Sequence, residues 1–342
     1  MKKLLLVIML FASLVCCKHQ KVTDFKKSKI DDVIIAFGSC NDQNLANPLW
    51  DDILANKPSY WIWGGDNIYS DTDDMDLMRS HYDELLNDPL YQNLRRDLKI
   101  LGTWDDHDYG LNDGGVEFEA KQESQQLFLD FLNVPDRDIR RSRDGIYHTE
   151  MIETMKGKIK IIILDTRFFR SALSPSNVPN MRYQPNKEGE GTLLGNEQWD
   201  WLENELATSN ANFNVIVSSI QVVSKSHGYE KWANMPHEVK KLHKIIIKTR
   251  PKGVVFLSGD RHISEFSKVH LEELAYPIID FTSSGLTHSY SDFDSELNVN
   301  RVGYVVSSLS FGLMKFDFKK NTITMQMRGD HDNLQQELIQ TY

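Results

Sequence analysis

From residue 31 onward, short runs of β-branched and aromatic residues alternate with longer stretches in which apolar residues recur every three or four positions. The runs "VIIAF", "YWIWGG" and "LKILGTW" predict strands, separated by helices near 46–56 and 74–97. Further along, "KIKIIILD", "FNVIVSSI" and "GVVFLSGD" predict strands, with one helix opened by "GNEQWDWLENEL" and another near 236–249. Val/Ile runs without polar alternation belong to sheets covered on both faces, which predicts an α/β architecture. The last seventy or so residues lose helical periodicity and read as successive strands ("YPIIDFTSS", "VGYVVSSLSF", "LMKFDF", "TITMQMRGD"), an antiparallel addition. Residues 174–195, rich in Pro, Asn and Gly, predict the longest surface loop. With no repeat or linker in 31–342, one domain is expected there.

The chain begins differently. Lys2 and Lys3 precede an apolar run at 4–15, the pattern of an export signal and well short of the about 20 residues a spanning helix needs. "LVCC" looks like a bacterial lipoprotein processing box, which makes 1–17 a signal peptide, Cys17 the lipidated residue and 18–30 a polar tether. An ordinary cleaved signal is the alternative. The expected location is periplasmic or at the cell surface, with a lipid anchor as the sole membrane contact. The 342 residues are 40% hydrophobic, enough for a packed core, and carry a formal charge of −10 with both signs interspersed. No basic stripe exists to follow a nucleic-acid backbone, so a nucleic-acid scaffold is not expected. Of three cysteines, only Cys40 lies beyond this leader, which leaves it a buried thiol or a metal ligand.

Polar residues gather where strands end. "VIIAF" runs into Gly38-Ser39-Cys40-Asn41-Asp42, "YWIW" into Gly64-Gly65-Asp66-Asn67-Ile68-Tyr69, "LKILGTW" into Asp105-Asp106-His107-Asp108, and "GVVFLS" into Gly259-Asp260-Arg261-His262. In open α/β folds ligands sit outside the carboxyl ends of strands, so these clusters meet if their strands share a sheet. Carboxylates held a few ångströms apart repel unless a cation joins them. Singly, each residue has a plain role open to it: Asp66 a helix cap, Tyr69 a half-buried ring, Cys40 a core thiol, His262 a loop histidine. Together they point to a metal site with mixed oxygen, nitrogen and thiolate donors.

The motifs "FGSCND", "GDNIYSD", "TWDDHDYG", "LDTRFFR", "SIQVVSKSHGYEKWANMPHE" and "LSGDRHISEF", in this order, resemble the alkaline phosphatase D (PhoD-like) family of metallophosphoesterases. The resemblance implies a calcineurin-like four-layer α/β/β/α sandwich of two mixed sheets with metals at one edge. It implies Asp66 as a bridging ligand, Cys40, Tyr69, Asp106, Asp260 and His262 as further ligands, and iron with calcium as the ions. His107 would face the substrate and protonate the leaving alkoxide or steady the transition state, with Asp105, Asp108 and Asn67 behind these groups and the first two orienting His107. Arg167, at another strand end, is a candidate bidentate phosphate clamp, with a surface ion pair as the alternative. The lone histidine of the wider superfamily has His227 and Gln221 as candidates. The implied reaction is hydrolysis of small phosphate esters by a metal-activated hydroxide. A phosphodiesterase or phospholipase D-like hydrolase is the alternative, and a catalytically inactive metal-binding lipoprotein is a third reading that the competent side chains disfavour.

Overall fold

The computed structural model describes residues 33–342. The signal peptide, the tether and the lipidated Cys17 expected in 1–30 lie outside the described residues.

The chain builds its first sheet by parallel crossovers. Strand β1 (Ile34–Gly38) is followed by α1 (Trp50–Ala55), then β2 (Tyr60–Gly64), α2 (Met75–Asn87), α3 (Pro89–Asp97) and β3 (Lys99–Thr103). The helix expected over 74–97 is thus two helices. Asp88 adopts an extended conformation (φ −61°, ψ 119°) because Pro89 follows it, and its carboxylate caps the backbone N–H groups of Leu90 and Tyr91. After α4 (Asp106–Tyr109) and α5 (Lys121–Phe131), an antiparallel pair, β4 (His148–Glu153) and β5 (Lys158–Ile163), opens the second sheet. The loop expected at 174–195 holds only the two-residue strands β6 (Ser174–Pro175) and β7 (Tyr183–Gln184). Then come α6 (Gly195–Ala207), β8 (Phe213–Val217), α7 (Pro236–Thr249), β9 (Val254–Ser258), β10 (Ser264–Val269), β11 (Ile278–Thr282), β12 (Arg301–Val306), β13 (Phe311–Asp317), β14 (Thr322–Gly329) and β15 (Asn333–Thr341).

The two large sheets are both mixed, with strand orders β15-β14-β13-β1-β2-β3 and β12-β10-β11-β9-β8-β5-β4. The C-terminal strands therefore complete both sheets rather than forming an antiparallel portion of their own. Period-two alternation divides each strand between two cores. In β2, Ile62 points between the sheets, whereas Trp61 and Trp63 point outward to α1, where Trp50 meets them edge-on at 5.6 and 5.8 Å between ring centroids. In β5, Ile159, Ile161 and Ile163 face the first sheet while Ile162 packs under α6 and α7. Lys160 interrupts that run without cost to the core, because its ammonium donates to the Glu205 carbonyl at 2.7 Å and pairs with the Glu205 carboxylate at the end of α6. The result is the four-layer sandwich that the resemblance implied.

The layers close on one edge. Thr103 Oγ1, ending β3, donates to the Leu164 carbonyl just past β5 at 2.8 Å. Gly259, just past β9, sits so close to β2 that a Cβ there would lie 2.9 Å from the Gly64 carbonyl oxygen. The four polar clusters therefore meet, but not from one sheet: three follow strands of the first sheet and the fourth follows β9 of the second.

Candidate metal centre

The backbone at this edge is held where side chains seldom go. Cys40, Asp66, Asp260 and His262 have φ of 60°, 51°, 68° and 52°, the left-handed region that non-glycine residues rarely occupy. Hydrogen bonds fix these turns. Asn41 N–H donates to the Asp66 carbonyl at 2.8 Å, and His262 N–H donates to Ser284 Oγ at 2.7 Å. The Asp108 carboxylate collects the N–H groups of Asp105 (2.7 Å), Asp66 (3.1 Å) and Asn67 (3.3 Å), tying the loop after β2 to the loop after β3.

Around this frame the donors fall into three overlapping groups. Cys40, Asp66 and His262 bring one ligand atom each within 4.8 Å of one another, as do Asp66, Asp106 and His107, and Asp105, Asp106 and Asp260. Tyr69 joins the first group, its hydroxyl 3.0 Å from His262 Nε2 and 3.5 Å from Asp66 Oδ2; Cys40 Sγ lies 3.2 Å from the same carboxylate oxygen. Asp66 and Asp106 each belong to two groups, the position of a residue shared between ions. Asp66 Oδ1, Asp105 Oδ2 and Asp106 Oδ1 are buried without any hydrogen-bond partner. Orphaned buried carboxylate oxygens are costly unless a cation meets them.

Electrostatics carries the same message. Burial, then the neighbouring Cys40 and Asp106, raises Asp66 far above the usual carboxylate range. Burial, then Asp105, does the same to Asp260, and burial pushes the Cys40 thiol to about 11. Asp106 is the exception: burial opposes ionisation, but Arg167, His107 and the donors Asp113 N–H and Asn112 Nδ2 hold it below its ordinary value. Carboxylates that resist ionising together, with free oxygens turned toward one another, fit bound cations. Hard oxygen donors and a thiolate–phenolate–imidazole set in one cluster suit ions of different hardness.

Several expected roles move. Arg167 is no phosphate clamp. It is fully buried, its Nε donates to Asp105 at 2.6 Å and its Nη1 to Glu230 at 2.6 Å, while Arg170 pairs with the other Glu230 oxygen at 2.9 Å. It is a core counterion. Asp105 and Asp108 do not orient His107 either, because the turn of α4 folds Asp108 back onto the Asp105 N–H and sends Asp105 to Arg167 and Ser219. The partner of His107 is Asp71, 2.7 Å from Nδ1, a residue inside the "GDNIYSD" motif to which sequence reasoning gave no role. Asn67 donates to Asp108 and to the Thr103 carbonyl, binding the two loops. Gln221, buried in the segment after β8, donates to Glu265 of β10 and Thr282 of β11, whereas His227 lines the cleft.

That cleft, about 620 Å³, has Asp66, Asp106, His107, Asp260 and His262 among its lining residues. Arg182, Tyr229, Arg261, Tyr290 and Phe293 also line it.

The profile of the PhoD-like phosphatase family matches residues 35–337. Alkaline phosphatase D of Bacillus subtilis (strain 168) is 24% identical over 188 residues, covering 50% of this chain and 32% of that protein. The alignment thus spans about a third of that relative's length. Among solved structures, that of PhoD has a TM-score of 0.70 at 17% identity, covering 91% of this chain and 68% of the other. A dimetal phosphatase from Danio rerio has a TM-score of 0.53 at 13% identity, covering 91% and 99%.

Proposed function

This chain belongs to the PhoD-like phosphatase family, and from that premise we propose that it is a metal-dependent hydrolase of small phosphate esters. The observation that carries the reading is the floor of the cleft, where the free oxygens of Asp66, Asp105 and Asp106 meet Cys40, Tyr69, Asp260 and His262. The thiolate, phenolate and imidazole of Cys40, Tyr69 and His262, with Asp66, suit iron; the carboxylates of Asp105, Asp106 and Asp260, again with Asp66, suit a harder ion such as calcium. Such ions lower the pKa of coordinated water and neutralise charge on the phosphoryl oxygens.

The chain's own part is to hold and move protons. His107 lines the cleft with Nδ1 turned to Asp71. Burial works against its protonation, but Asp66, Asp71 and Asp106 raise it to about 10, so it holds its proton at neutral pH. Neutralising Asp66 and Asp106 draws that value back toward neutrality, where a general acid is most effective. His107 then protonates the leaving alkoxide from Nε2.

The phosphodiesterase reading has one observation in its favour: a cleft of about 620 Å³ exceeds what a lone phosphoryl group fills, leaving room for a second substituent. Turnover of p-nitrophenyl phosphate against bis-p-nitrophenyl phosphate, with metal analysis of the same sample, separates the readings. Monoester hydrolysis by metal-loaded protein supports the first, a diester preference the second, and metal without turnover an inactive binding protein.

The reading extends to an exported protein, periplasmic or at the cell surface, anchored by lipid on Cys17, with no nucleic-acid scaffold. The basic, apolar and cysteine-terminated start of the chain supports export, and among the described residues no helix is long and apolar enough to cross a membrane. Cys17→Ala releases the protein from the membrane fraction if the anchor exists.

A further inference from the structure

With Arg167 locked in the core, the wall of the cleft holds a different cation. Arg261 stands between Asp260 and His262, both of which face the donor cluster through left-handed backbone turns. Its guanidinium goes elsewhere. Nη2 donates to Glu296 at 2.7 Å and the guanidinium lies over the Tyr229 ring at 4.3 Å from the centroid, a cation–π contact that helps hold it still. Only 8% of the residue is exposed, and its Nε–H has no partner.

His227 lines the same cleft and is 2% exposed. Its Nδ1 accepts the backbone N–H of Tyr229 at 3.3 Å, so in the neutral ring the proton sits on Nε2. That Nε2–H is also without a partner. Burial, with Arg261 and Lys231 nearby, keeps the ring neutral. Two buried, oriented donors thus stand unsatisfied in one wall, each a cost to the fold unless an acceptor meets it.

We infer that Arg261 and His227 form a leaving-group subsite, in which Arg261 Nε–H and His227 Nε2–H recognise a hydrogen-bond acceptor carried by the alcohol portion of the ester. Glu296 and Tyr229 hold Arg261 against the wall, away from a free swing toward the donor cluster. A site built to bond a substrate acceptor discriminates against the analogue that lacks it. The inference rests on the phosphoesterase reading.

Propyl phosphate and glycerol 3-phosphate are both primary alkyl monoesters that differ in two hydroxyls; because those hydroxyls also make glycerol the better leaving group, the subsite is read as the change in their kcat/KM ratio between wild type and variants. Wild type is expected to favour glycerol 3-phosphate in kcat/KM by about tenfold or more. Arg261→Gln and His227→Phe should each remove most of that preference while leaving propyl phosphate turnover within about twofold. Arg261→Lys keeps the charge, loses the fork, and serves if the glutamine variant does not fold. Equal losses on both substrates, or a preference that survives in the variants or is absent from wild type, overturn the subsite. Failure of the underlying reading looks different: wild type then hydrolyses neither ester.

Discussion

Two groups of buried carboxylates lie side by side at the edge of the sandwich, and the protein treats them in opposite ways. In the inner group, Asp105 and Glu230 are answered by Arg167 and Arg170 through bonds of 2.6–2.9 Å. In the outer group, Asp106 shares one set of donors with Asp66 and another with Asp260, and Asp66 and Asp106 each keep an oxygen without a hydrogen-bond partner. Asp105 belongs to both, with Oδ1 on Arg167 and Oδ2 free. Acidic residues alone do not mark a metal site. What marks it, among the described residues, is that Asp66 and Asp106 each keep a buried oxygen no donor meets, although Arg167 stands only 3.8 Å from the free oxygen of Asp106.

The first way to break this comparison is to remove the inner cation. Arg167→Met leaves Asp105 and Glu230 buried without their main counterion and should cost about 3–5 kcal/mol of stability by urea denaturation. A phosphate clamp would instead raise KM and leave stability intact. Next, Asp66→Asn removes a charge shared by two donor groups. It should lower kcat by about 10²–10³ and release metal, measured by steady-state kinetics and elemental analysis together.

The contrast sharpens when metal is removed. In the metal-free protein, burial raises Asp105 to about 7, against the pull of Arg167, and Asp108 to about 8. Both lie above the ordinary aspartate value, so between that value and about 7–8 the folded state binds more protons than the unfolded chain. Below about pH 6.5 the buried His148, His227 and His262, held below their ordinary value, oppose this trend; above it, stability of chelator-treated protein should fall as pH rises to about 8, on the order of 1 kcal/mol per pH unit. Metal-loaded protein should show a flatter curve, and thermal melts across that range compare the two.

The smallest effect concerns the exposed end of the site. Asp71→Asn removes one of the charges that raise His107, so the alkaline limb of the kcat profile should move to lower pH, with a loss of about three- to tenfold at the optimum. An unmoved limb would remove His107 from the proton transfer.

Much of this edge was legible in the sequence because β1, β2 and β9 are short apolar runs that break at a Gly-Ser or Gly-Asp pair, and β3 runs into Asp105 and Asp106. Cys40, Asp66, Tyr69, Asp106, Asp260 and His262 all reach one cluster. What pattern alone does not convey is which distant group answers a charge. Arg167 after its strand reads alike as clamp or counterion, and Glu230, its partner, lies 63 residues away. Adjacency misled in the same way at Asp105 and Asp108, neighbours of His107 in sequence that a single helical turn directs elsewhere. The strands β10 and β15 escaped notice because "SEFSKV" and "NLQQELIQT" set charged and hydroxyl or amide side chains among few apolar residues. The assignment of β9 to the second sheet rests on long-range pairing with β8 and β11, which no local period encodes.

The central claim is that the outer carboxylates are compensated by ions rather than by protons or side chains. Mass-spectrometric metal counting on protein purified without chelator and without added metal tests it most directly. Two or more ions per chain are expected to survive desalting, with fewer on Asp66→Asn protein under the same treatment. Full phosphoesterase turnover from a sample that carries no bound metal would contradict it.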